Sequence, residues 1–106
     1  MDLKNEKAII AEYVKRHSQA ETWLEIRAGI REVGILEMEI YILENRLFMI
    51  VDTPLDFDWN SAMTRLASLP RQQEWEDFMS IFQDCRKGET ADEKWKMMER
   101  IFYLYE

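Results

Sequence analysis

The sequence predicts a single α+β domain, on three observations: two helix-spaced stretches at the front, two short β-rich runs flanking Asn45, and two more helix-spaced stretches behind them. Asn5 is placed to cap a first helix over residues 6–17, in which Ile9, Tyr13 and His17 fall in one row and Ile10 and Val14 in the next. Thr22-Trp23-Leu24-Glu25 matches a capping box for a second helix carrying Trp23, Ile26, Ile30 and Val33, and Gly34 is a stop signal. Two extended segments follow, 37–43 and 47–52, joined by Glu44-Asn45-Arg46, where asparagine tolerates the left-handed backbone of a tight turn.

Asp56 or Asp58 can cap a third helix bearing Trp59, Ala62, Met63 and Leu66. Pro70 suits the first turn of a fourth, whose apolar stripe is Trp75, Phe78, Met79 and Phe82. Residues 84–92 read as a polar loop. Thr90-x-x-Glu93 permits a short helix there, but Tyr, Phe, Ile and Met dominate 95–105, which favours a last strand. Only Met1-Asp2-Leu3 precedes the first cap, too little for an ordinary strand. With a full front strand the order would be β-α-β-β-α-β, so the expected architecture is ferredoxin-like, an antiparallel sheet with helices on one face and its first strand largely missing.

A length of 106 residues fits one domain, residues 1–106, and leaves no room for separate cofactor and substrate domains. The formal charge of −7, with basic residues interspersed among acids, argues against a nucleic-acid partner. A lone cysteine, Cys85, cannot close an internal disulfide. With no long apolar run and no leader-like N-terminus, the expectation is a cytoplasmic protein without a membrane partner. One histidine and one cysteine leave no transition-metal ligand set, so neither metal nor organic cofactor is expected.

His17 is the single histidine, and Tyr13 stands one helical turn before it. That spacing pairs a group titrating near neutral pH with a hydrogen-bonding aromatic on one helix face. Trp75 can pack against the apolar face of a small ligand, although its spacing with Phe78, Met79 and Phe82 suits a core anchor equally well.

Several pieces then appear in a recognisable order: Ala11-Glu12-Tyr13-Val14-Lys15-Arg16-His17, Trp23, Met38-Glu39-Ile40-Tyr41, Asn45-Arg46-Leu47-Phe48-Met49-Ile50, Gln73-Glu74-Trp75-Glu76-Asp77-Phe78-Met79, Glu93-Lys94-Trp95 and Met98-Glu99-Arg100-Ile101-Phe102. Together they resemble the L-rhamnose mutarotase family. The resemblance implies a dimeric ferredoxin-like fold and an enzyme that interconverts the α and β anomers of a deoxyhexose without metal or organic cofactor. His17 matches that family's general acid, Tyr13 a sugar-binding tyrosine, and Trp23 a tryptophan near the sugar. A second sugar-binding tyrosine falls on Met38, which lacks the hydroxyl. Tyr41, three positions on, lies on the opposite strand face by parity. The family's tandem tryptophan pair falls on Trp75-Glu76. The expected activity is mutarotation of L-rhamnose or a relative such as L-fucose. A non-catalytic or truncated dimeric ligand-binding member, and a small monooxygenase of another dimeric α+β barrel family, are the competing readings.

Overall fold

The computed structural model describes residues 1–105. Along the chain run α1 (Lys7–Arg16), α2 (Leu24–Glu32), β1 (Glu37–Leu43), β2 (Arg46–Asp52), α3 (Trp59–Ser68), α4 (Gln72–Met79) and α5 (Ala91–Lys94). The coarse class is the expected one: a small α+β arrangement in which β1 and β2 form a two-stranded antiparallel sheet, with Glu37 opposite Asp52 and Leu43 opposite Arg46.

The N-terminal segment extends this hairpin. Asp2 bridges Arg46 and Leu3 bridges Gln83, both antiparallel. The Leu3 N–H donates to Asn45 O at 2.7 Å on one side, and the Lys4 N–H donates to Phe82 O at 2.9 Å on the other. Residues 1–4 thus lie between β2 and residues 82–84, in the interior place of the front strand that the sequence leaves too short. The contact is short, but it satisfies backbone groups that would otherwise be left open along the β2 edge.

Side chains divide the sheet into two faces. Met38, Ile40, Leu47 and Val51 pack against the helices, while Tyr41, Phe48 and Ile50 remain exposed on the other side. Two clusters fill the helix side. Leu3, Tyr13, Ile26, Leu47, Trp75, Met79 and Phe82 form the first, and Val33, Ile35, Ala62, Met63 and Leu66 the second.

Several local expectations change. α1 is capped at Glu6 without a side-chain bond, rather than by Asn5, because the chain leaves Lys4 through a turn in which the Glu6 N–H donates to Lys4 O. Thr22 caps nothing: its hydroxyl turns back toward the end of α1, 2.8 Å from Ser18 O and 3.2 Å from Arg16 O, and Trp23 takes the N-cap position of α2. In the hairpin the left-handed residue is Glu44, at φ 57°, not Asn45. Asn45 is held elsewhere, donating its side-chain amide to Leu3 O at 2.9 Å. Pro70 precedes α4 instead of opening it, and Arg71 takes the N-cap position at φ 65°.

Among the described residues, 95–105 form no strand. The Thr90/Glu93 capping box closes around α5, and beyond it Met97, Met98, Ile101, Phe102 and Leu104 are exposed. The place beside the N-terminal segment, which a last strand would fill, is occupied by residues 82–84. Asp58 caps α3 as expected, accepting from the Ser61 N–H at 3.1 Å, and Gly34 ends α2 at φ 102°. No helix among the described residues is long and apolar enough to cross a membrane.

Candidate active site

The last turn of α1 tightens. The His17 N–H donates to Val14 O, and the Ser18 N–H to Lys15 O, each one residue short of the α-helical spacing. Tyr13 O is thereby left open, and the His17 ring fills it: Nδ1 lies 2.8 Å from that oxygen. A carbonyl can only accept, so Nδ1 carries the proton, and Nε2 of the neutral ring is a free base. Burial lowers the His17 pKa below its ordinary 6.5, outweighing the opposing effect of the bond to Tyr13, and nearby Arg27 lowers it further. The ring is therefore mostly neutral at pH 7.

Around it lies an aromatic group. The Tyr13 ring centroid is 4.2 Å from that of His17, and Trp75 meets the imidazole edge to face at 5.4 Å. Trp75 also contacts Trp23 at 5.2 Å, and Trp23 stacks on Phe78 at 5.8 Å. Tyr13 and Trp75 are buried, at 3% and 5% exposure, whereas His17 and Trp23 are half-buried. Of these four, the half-buried pair offers more surface to a ligand than the buried pair. Trp75 is a core anchor in the same position, since its ring belongs to the first cluster. Burial also raises the Tyr13 pKa, so the phenol keeps its proton across the physiological range.

The other two residues singled out from the sequence have partners of their own, although the Glu76 charge reaches Tyr13 and adds to the rise in its pKa that burial causes. Met38 packs against the second cluster, while Ile40, the next residue on the same strand face, joins the first. Glu76 forms a closed polar group: Lys94 Nζ lies 3.0 Å from one carboxylate oxygen, and Gln72 donates to the other at 2.9 Å. Burial raises the Glu76 pKa above 4.5 despite the opposing pull of Lys94 and Gln72. Tyr41 is exposed and donates to Glu39 on the outer sheet face, consistent with its parity. Sequence reasoning missed Lys94 and Gln83, both buried. Nothing in the local pattern marked either, because each is set inward by a contact distant in sequence.

A sequence model of the L-rhamnose mutarotase family matches residues 1–104. The chain belongs to that family. Membership makes it an isomerase acting on sugar anomers. It is similar to an L-fucose mutarotase of Xanthomonas campestris pv. campestris, with 38% identity over 106 residues, covering all of this chain and 85% of the relative. It is also similar to a UPF0734 protein of Dictyostelium discoideum, with 31% identity over 109 residues, covering 98% of this chain and 85% of that one. No solved structure matches.

Proposed function

We propose that this single-domain enzyme interconverts the anomers of L-fucose or L-rhamnose, with His17 as the proton-shuttling residue and Tyr13, Trp75 and Trp23 as the sugar-binding wall. The observation that carries the reading is the bond from His17 Nδ1–H to Tyr13 O, which leaves Nε2 basic on a ring packed against Tyr13 and Trp75, with Trp23 against the latter. Nε2 takes the proton of the anomeric hydroxyl. The O1 electron pair then forms the aldehyde as the C1–O5 bond breaks, and the imidazolium returns its proton to O5. The aldehyde turns about C1–C2, and the same steps in reverse close the ring on the other face. One base suffices because the proton removed from O1 is the proton needed at O5. A positioned group of this kind contributes about 10²–10⁴-fold. The aromatic wall suits the apolar side of a deoxyhexose, including its methyl group. Met38 and Glu76 enter the proposal at its margin, shaping the wall from behind rather than bonding the sugar.

L-fucose is the favoured substrate, because the curated relative carrying that name matches the whole chain. The order of pairing, 82–84 beside 1–4 beside β2 beside β1, supports a ferredoxin-like sheet with residues 82–84 as its fourth strand. Exposed Tyr41, Phe48 and Ile50 on the outer sheet face, with the apolar segment after α5, support a homodimer; sedimentation as a monomer would overturn this part.

Saturation-transfer NMR of L-fucose and L-rhamnose tests the reading. His17→Ala should lower catalysed anomer exchange about 10²-fold or more while melting close to the parent. Exchange at the parental rate after subtraction of the uncatalysed reaction would remove His17 from the mechanism.

A further inference from the structure

Gln83 lies outside every motif described above, yet it is 2% exposed and its Nε2 is 3.3 Å from the Tyr13 hydroxyl. Its backbone is fixed. Gln83 pairs with Leu3, and flanking bonds run from Lys4 N–H to Phe82 O and from Asp84 N–H to Asp2 O, each 2.9 Å. Leu3 is buried in the first cluster, and Gln83 opposite it projects to the same side. The NH₂ end of the amide is turned toward the phenol, and its Oε1 lies 3.9 Å from Cys85 Sγ, within reach of the thiol proton.

A tyrosine hydroxyl can donate one hydrogen bond and accept others. Where a buried amide already donates to it, the phenolic proton is directed away from that amide and can be donated elsewhere. We infer that Gln83 is a positioning residue, which holds the Tyr13 hydroxyl as a donor toward a sugar oxygen and keeps the Tyr13 ring seated against His17. The inference rests on the reading of Tyr13 and His17 given above and deepens it. Tyr13 supplies both the ring and the carbonyl that orient the imidazole, so a single amide between residues 82 and 84 braces the pair from beneath. Tyr13 is thus tied through Gln83 to Leu3 and the N-terminal segment.

A double-mutant cycle on L-fucose exchange tests this. Gln83→Met keeps the volume and removes the donor. It should lower kcat/KM about tenfold, mainly through KM, and leave the pH midpoint of the reaction in place. In a Tyr13→Phe background the same change should cost less than about twofold, because the hydroxyl it serves is gone. An equal loss in both backgrounds would make Gln83 an ordinary packing residue, and no loss in either would remove it from the site; both overturn the inference. If Gln83→Met does not fold, Gln83→Glu carries the same test. Its carboxylate accepts from the phenol instead of donating to it, so a KM-borne loss again confined to the Tyr13 background supports the inference, and parental kinetics overturn it. His17→Ala separates the two levels. If that variant still exchanges anomers, the underlying reading fails. If it is inactive while the Gln83 cycle is additive, only the inference fails.

Discussion

Val33, Ile35, Ala62, Met63 and Leu66 pack with one another as a wholly apolar group, whereas the cluster around Tyr13 and Trp75 has His17 against its rings and Gln83 on its phenol. Both clusters lie under the same hairpin. All four buried polar or charged side chains among the described residues, Gln72, Glu76, Gln83 and Lys94, lie on α4, just beyond it, or bonded to it. A small domain has little stability to spare for buried polar groups, since each costs free energy unless fully partnered. Here every one has partners: Gln83 bonds the Tyr13 phenol, while Gln72, Glu76 and Lys94 bond one another beside Met63 and Leu66 of the second cluster. The second cluster holds the fold together; the first does so while keeping a base and a hydroxyl in place.

That division makes the clusters separable by mutation. Lys94→Met should have the largest effect on stability, about 3–5 kcal/mol, because it strands the Glu76 carboxylate in an apolar setting. The loss should shrink in acid. Glu76 has a raised folded pKa, so its contribution favours the fold below the ordinary carboxylate value and is lost as pH rises through the folded one. Denaturant melts at pH 5 and pH 7.5 check this, and equal losses at both would mean that Glu76 is not the stranded group. Adding Glu76→Gln to Lys94→Met should recover much of the stability.

Leu66→Ala comes next, at about 2–5 kcal/mol, as an apolar cavity in the second cluster. Exchange per folded molecule should stay at the parental rate, measured on L-fucose below the melting range. A loss of activity matching the loss of stability would break the comparison, since the two clusters would then act as one unit.

Much of this division could be read from the residues themselves. Periodicity located α1 to α4, because amphipathic stripes such as Trp75, Met79 and Phe82 are local patterns that burial turns into contacts. The His17–Tyr13 pair was equally local, one turn apart on α1. What escaped is non-local. Residues 1–4 gain strand character only because Asn45 and Phe82 offer backbone partners, and residues 95–105, rich in β-formers, find no ladder among the described residues. Gln83 falls between the stripe that ends at Phe82 and the polar loop from residue 84, and only the pairing with Leu3 gives it a place. Thr22 and Asn45 carried correct cap and turn chemistry, but the carbonyls of Ser18 and of Leu3 competed successfully for their side chains.

The central claim is that His17 acts through a neutral, basic Nε2, and the pH dependence of kcat/KM for L-fucose exchange tests it most directly. As the single histidine, its ring proton signals can be followed by NMR in the same samples without ambiguity. Because the folded pKa is depressed, the neutral ring favours the fold fully above 6.5, and that contribution is lost as pH falls through the folded value; the acid limb of activity follows the same titration. The account predicts one shared midpoint, below 6.5, for the loss of kcat/KM and for protonation of the imidazole. Activity that continues unchanged through the ring's titration, or falls at a different pH, would contradict it.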